Sequence, residues 1–313
     1  MTEAIGLRSQ VRETFLSKLA DFMANRGFVL VFGIILPVAV YVVFVGWPIL
    51  FNIYLSFTKW NGLAPDVVFV GIDNYIRLIN DPGFRQAFFN SLKWALLALS
   101  IHLGIGLTLS ILLHSGRVDF PAFFRSLIFL PFTMSLVTVG LMFSLILSPG
   151  FGVLDALLRG VGLEGLIRTW LGDYDITIYV LIIIDAWAYL GIPLMMFHAG
   201  LSAINTELFD AARVDGASEW QLAWHVTLPS LKPVILIVTM LSVIQSLKTF
   251  DLVSVMTGGG PAGGTSVLGH YMYVISFRRN DFGYGATIGV VMLLFSAGFA
   301  LTYLRGVARN ALD

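Results

Sequence analysis

The chain has 313 residues, of which 57% are hydrophobic and only 12% charged, and its mean hydropathy is +0.85. Soluble domains carry about a quarter charged residues, so this is the composition of an integral membrane protein. A net charge of zero without a basic tract argues against nucleic acid as a partner, and the lack of cysteine excludes disulfides, thiolate metal sites and cysteine nucleophiles.

Residues 1–27 are polar and mixed in charge, and are expected to form a cytoplasmic N-terminal segment. The apolar run after them exceeds the roughly 7–15 residues of a cleaved signal and is expected to stay as a membrane helix. Crossing a bilayer takes about 20 apolar residues, and six segments qualify. They run from Phe28 to Phe57, Phe88 to Leu113, Ala122 to Leu147, Ile176 to Gly200, Pro233 to Met256 and Tyr284 to Tyr303. The expected fold is an all-α membrane protein, with six transmembrane helices over residues 28–305 and a cytoplasmic tail at 306–313. Trp47-Pro48 is expected to mark the outer bend of the first span, and Pro131 and Pro193 to kink the third and fourth.

Basic residues set the orientation. With the N-terminus inside, Arg8, Arg12, Lys18, Arg26, Arg117, Arg125, Arg213, Lys232, Arg305 and Arg309 are cytoplasmic. Lys59, Arg77, Arg85, Arg159, Arg168, Arg278 and Arg279 then lie outside. The bias is modest, but four of the inner residues precede the first span, and both termini are placed in the cytoplasm. Three long outer connections follow. Lys59 to Ala87 and Ser148 to Asp175 carry helix-like pieces, while TGGGPAGGT after Met256 is too rich in glycine for regular structure. These connections either dock an external partner or cap the helix ends.

A polar island, Glu207 to Pro233, separates the fourth and fifth spans. Asn205 or Thr206 can cap a helix in which Glu207 and Asp210 sit near the positive end of the dipole. Leu208, Ala211 and Ala212 give it a shallow apolar stripe. Gly216 breaks this helix, and Ser218-x-x-Gln221 has capping-box spacing for a second, with Trp220, Ala223 and Trp224 on its apolar side. Pro229 and Pro233 are expected to stop it and begin the next span. These residues alone fit either a surface pressed against a partner or an amphipathic hairpin lying on lipid.

Ionisable groups within spans usually face the bundle or a cavity. Asp185 lies in the fourth span with Trp187 and Tyr189, and Gln245, Lys248 and Asp251 recur every three residues in the fifth, on one helical face. Polar groups beside aromatic faces suit a sugar, which has hydroxyl edges and apolar CH faces. Pairing of Lys248 with Asp185 or Asp251 is the alternative. His102 and His198 read as packing or hydrogen-bonding residues. No G-x-x-x-x-G-K-[ST], HExxH or GxSxG occurs, so no phosphate-cradling loop or hydrolytic site is legible.

The run DAARVDGASEWQLAWHVTLPSLKP resembles the cytoplasmic EAA loop of binding-protein-dependent ABC importer permeases. Asp210 stands in place of the usual Glu, and the usual Ile-x-Leu-Pro ending reads Val226-Thr227-Leu228-Pro229. VGIDNYIRLINDPGFRQAFFNSL, FFRSLIFLPF and VMTGGGPAGGTSVLGHYMY extend the resemblance to the carbohydrate-uptake branch, in the family's order. The resemblance implies a type I importer permease fold with a coupling-helix hairpin at 205–232. It implies that Glu207, Asp210, Ala211, Ala212, Asp215, Gly216, Ala217, Leu228 and Pro229 contact a cytoplasmic ATPase dimer. ATP and Mg would be bound by that ATPase and no cofactor by this chain. The other implied partners are a second homologous permease, an external substrate-binding protein, a sugar substrate and the lipid of a bacterial or archaeal inner membrane. Glycerol 3-phosphate or another polyol derivative is the rival substrate. An ATP-independent secondary transporter and a membrane-embedded enzyme are the rival classes.

Overall fold

A computed structural model describes residues 30–310, so the predicted segment 1–27 lies outside the described residues. The chain divides into two units, residues 1–55 and 56–313. The described part of the first is helical, and α1 (Phe32–Ser56) is long and apolar enough to cross a membrane. Phe32, Ile35, Val43, Phe44 and Leu50 are exposed on all its sides, the pattern of a span rather than of an amphipathic surface helix. Trp47-Pro48 falls inside this helix instead of ending it. A wide π turn at Val42–Gly46 immediately precedes Pro48 and accommodates its ring and missing N–H.

The second unit opens with a two-strand antiparallel ribbon, β1 (Thr58–Lys59) and β2 (Val68–Phe69), followed by α2 (Asp73–Asn80). Next come α3 (Pro82–His114) and the bent pair α4 (Pro121–Thr133) and α5 (Leu136–Ile146). Helix α6 (Val153–Gly160) precedes a second bent pair, α7 (Thr177–Tyr189) and α8 (Gly191–Ser202). The polar island holds α9 (Thr206–Val214) and α10 (219–230). Helices α11 (Lys232–Lys248), α12 (Asp251–Met256), α13 (Leu268–Tyr273) and α14 (Phe282–Asn310) complete it. Four stretches, α1, α3, Lys232–Met256 and α14, are long and apolar enough to cross a membrane; counting each bent pair as one span makes six.

The breaks have local causes. Pro131 sits in a tight 3₁₀ turn, Leu130–Thr133, after which Met134 and Ser135 are extended and the chain turns by 96° into α5. Pro193 cannot donate to the carbonyl of Tyr189 four residues earlier and its ring crowds that oxygen. Helix α7 ends at Tyr189, and α8 leaves at 44°. The predicted fifth span is also divided: Thr249 and Phe250 leave helical geometry between α11 and α12. Gln245, Lys248 and Asp251 therefore do not share one face of one helix, because Asp251 starts a new one. The last helix runs to Asn310, so residues 306–310 continue it and are not a separate tail.

The core joins α3, α5, α7 and α12 through Trp94, Ala98, Val139, Leu181, Ile182, Leu252 and Val253, all buried. Inside it, Trp94 Nε1 donates to the buried Asp185 carboxylate at 2.8 Å. At one end of the bundle, three connections interlock, that between α5 and α7 through Gln86 Nε2, which donates to the Tyr174 hydroxyl at 2.9 Å. Asp81 caps α3 by accepting from Gly83 N at 2.8 Å, and accepts the Tyr271 and Tyr284 hydroxyls, each at 2.6 Å. Arg77 on α2 pairs with Asp281 at 2.7 Å and lies 3.9 Å over the Tyr284 ring. The glycine-rich loop is tied down from below. Asn90 donates to the carbonyls of Gly264 and Ser266, and Ser91 Oγ accepts from Leu268 N to cap α13. Helix α13 and the π turn Val274–Arg278 fill a connection in which no helix was expected.

Candidate functional site

Two sites emerge, one at the end of the bundle opposite those connections and one within it. At the first, Asn205 Oδ1 caps α9 by accepting from Glu207 N at 3.0 Å. Helix α9 ends in a turn where Ala217 N bonds Ala212 O and Gly216 takes φ +83. That left-handed conformation favours glycine. Ser218 and Gln221 form the predicted capping box reciprocally. Pro229 does not stop the second helix; α10 passes through a π turn at Ala223–Thr227, runs on through Pro229 and ends at Ser230. Glu207, Asp210, Ala211, Asp215, Gly216 and Pro229 are exposed, while Ala212, Ala217 and Leu228 are half-buried.

The hairpin holds itself in shape with surface charge. Arg213 lies 3.6 Å from Asp210 and 3.9 Å from Glu219, and Arg117, in the α3–α4 connection, lies 3.5 Å from Glu219. Exposed pairs of this kind contribute only about 0–1 kcal/mol each. More telling is the uncovered apolar surface: Val214 is 88% exposed and Trp220 71%, with Trp224 packed edge-on against Trp220 at 5.7 Å. Leu208 is exposed as well, so both helices of this otherwise polar element carry uncovered apolar side chains. Uncovered apolar surface of this kind marks an interaction site.

The second site is a cavity of about 290 Å³ at the α7–α8 break, lined by His102, Phe132, Tyr189, Met196, Ser242 and Gln245 among others. Gln245 Nε2 donates to the Tyr189 hydroxyl at 2.6 Å, and Phe132 packs edge-on to Tyr189. His102 Nδ1 and Ser242 Oγ are hydrogen-bonded at 2.9 Å, and His102 Nε2 is buried without a partner among the described residues. Among the described residues no Lys or Arg lines the cavity.

Of the six predicted path residues, only Tyr189 and Gln245 meet here. Asp185 is committed to Trp94 and does not pair with Lys248. Trp187 packs against Phe143 and is partly exposed, and Lys248 and Asp251 are exposed away from the cavity lining. Sequence reasoning reads His102 as a packing or hydrogen-bonding residue, which its bond to Ser242 fits, but does not single out Ser242 or Phe132. A histidine in the middle of an apolar run was the available signal.

Residues 102–307 match the family described as the binding-protein-dependent transport system inner membrane component. The chain belongs to this family. A probable ABC transporter permease of Pyrococcus horikoshii is 37% identical, over 84% of this chain and 89% of that one. The arabinooligosaccharides transport system permease AraP of Halalkalibacterium halodurans is 34% identical, over 84% and 83%. In structure, the chain resembles one in the bacterial alginate ABC transporter, solved in complex with an alginate pentasaccharide-bound periplasmic protein. The TM-score is 0.76 at 19% identity, covering 90% of this chain and 95% of that one. The permease fold is thus shared at an identity too low to carry a ligand across.

Proposed function

We propose that this permease is the membrane-spanning subunit of an ATP-driven importer, forming with a second, related permease the path for a sugar or oligosaccharide delivered by an external binding protein. The observation that carries the reading is the Gly216-hinged hairpin, whose Val214, Trp220 and Trp224 are uncovered in a chain of this family. The relatives support the substrate class: AraP is named for arabinooligosaccharides, and the structural neighbour was solved with a saccharide-loaded periplasmic protein.

In this reading the six apolar units are six spans, both termini and the hairpin are cytoplasmic, and the three interlocked connections face outward. The hairpin, including Glu207, Asp210, Ala211, Ala212, Asp215, Gly216, Ala217, Leu228 and Pro229, seats in a separate ATPase, which holds ATP and Mg; this chain holds neither. ATP binding shifts the importer between inward-open and outward-open states only through its differential affinity for them. The hairpin transmits that difference because its helices are capped at Asn205 and Ser218 and braced through Glu219, so it moves as a lever.

The cavity supplies a reason to favour a neutral sugar over glycerol 3-phosphate. A phosphate wants cationic or multiple N–H donors, and the lining has aromatic faces and neutral hydrogen-bonding groups instead. Proteoliposomes containing the purified assembly test the reading. Uptake of the binding protein's ligand that requires both internal ATP and the binding protein supports it. Uptake that proceeds without ATP favours a secondary transporter.

A further inference from the structure

Where the end of α3 meets α4 and the end of α8, three nitrogen-bearing side chains converge. Arg125 on α4 is half-buried, and its guanidinium hydrogen-bonds His198 Nε2 on α8. Arginine only donates, so His198 accepts at Nε2 and, as a neutral ring, carries its proton on Nδ1. That Nδ1–H is buried and has no partner among the described residues. The His114 ring, at the end of α3, packs edge-on to His198 with centroids 5.5 Å apart. The ion pairs of the described residues join Arg77 to Asp281 and link Arg117, Arg213, Asp210 and Glu219. None includes Arg125, His114 or His198.

The cluster therefore offers guanidinium N–H groups, the His198 Nδ1–H and the His114 ring, with no carboxylate within ion-pair distance among the described residues. An unpaired buried donor is costly, and so is a cation beside apolar surroundings unless neutralised. Its surroundings point to two routes for an anion. Phe123, Phe124 and Leu127 flank Arg125 on α4 and are exposed, as on a helix that meets lipid. On the other side, His114, though not Arg125 or His198, lines a cleft of about 660 Å³ that reaches Arg117 and, on the hairpin, Asp210, Arg213 and Glu219.

We propose that Arg125, His114 and His198 form a binding site for a phosphate group. One phosphate oxygen pair accepts from guanidinium N–H groups that His198 leaves free, a geometry arginine matches better than lysine; a ring N–H of His114 completes the shell, and His198 positions the guanidinium through Nε2. Basic pockets between membrane helices at the headgroup level take lipid phosphates, and the cleft opens the His114 edge of the site to soluble phosphate. The site is separate from the cavity and does not depend on the importer reading.

The test uses the full chain, purified with its co-purifying partners and delipidated in a non-ionic detergent. Native mass spectrometry after adding phosphatidylglycerol measures lipid retention. Thermal unfolding with inorganic phosphate, against chloride at matched ionic strength, measures the soluble route. The variants are Arg125→Gln and the exposed-site His114→Gln, which keeps a folded comparison if the first fails to fold; Arg159→Gln in α6 is the control. Retention in wild type and the control that falls about tenfold in the variants supports the site and identifies a lipid source. A phosphate-specific rise in the unfolding midpoint, lost in the variants, supports it and identifies a soluble one. Equal retention in all four proteins together with no phosphate-specific shift overturns it.

Discussion

If the cavity is the substrate path, as proposed, the hydrogen bond between Gln245 and Tyr189 is where a single substitution tests it. Gln245→Ala leaves the Tyr189 hydroxyl without its partner at the cavity wall, a change worth about 1–3 kcal/mol. ATP-dependent uptake is expected to fall at least about tenfold, with assembly and basal ATPase activity unchanged. Lys248→Ala is expected to impair uptake less, since Lys248 is exposed and outside the cavity lining. Transport assays on both variants check the order, and unaltered uptake in Gln245→Ala would remove the cavity from the path. Asp81 carries a different prediction. Burial opposes its ionisation, but hydrogen bonds from Tyr271, Tyr284, Gly83 and Phe84 outweigh that and hold its pKa below the ordinary 3.8. A depressed folded pKa contributes stability that is present above the unfolded value and lost as pH falls through the folded one. The outer clasp is therefore expected to weaken only below about pH 4. Asp81→Asn should lower the unfolding midpoint at pH 7 and flatten this acid-side dependence, as thermal unfolding across pH would show.

Among the elements, two glycines separate strain from packing. At Gly216 an added Cβ meets nothing within 4 Å, so the cost of Gly216→Ala is purely the positive φ of +83, about 1–2 kcal/mol. Frayed coupling with normal insertion is the expected result, read as reduced ATP-dependent uptake at unchanged membrane abundance. At Gly191 the same Cβ would lie 2.8 Å from the Phe129 backbone. Gly191→Ala is expected to cost about 1–3 kcal/mol by overpacking the α4–α8 contact, read as a lower unfolding midpoint. Both positions bear on how far the elements were legible. The hairpin was readable residue by residue, because Asn205, Gly216 and the Ser218–Gln221 box act over three or four residues. The helix breaks were readable at Pro131 and Pro193, where the missing donor is local. The break at Thr249 was not: no proline or glycine marks it, and Thr249 O instead lies against Gly269 of α13, a contact distant in sequence. The glycine-rich loop was read as irregular for the right reason, but its anchoring by Asn90 and Ser91 depends on a pairing across more than 170 residues. The cavity was half legible for the same reason, since tertiary packing decides which polar groups of α3, α7 and α11 face one another.

For the whole molecule, the division of labour between the two ends of the bundle organises the account. One end is cross-braced by Asp81, Arg77 and the anchored loop, while the other presents a hinged hairpin with Val214 and Trp220 uncovered. In the proposed reading an ATPase drives the permease, and the hairpin, with these side chains uncovered, is the surface offered to it. The most direct measurement is affinity purification of this chain from its native membrane, wild type beside Gly216→Pro, with identification of the co-purifying proteins. Proline removes both the positive φ and the Gly216 N–H that bonds Arg213 O. The account predicts an ATPase, a second permease and a binding protein with the wild type, and selective loss of the ATPase with the variant. Recovery of the wild-type chain alone, or only with copies of itself, would contradict it.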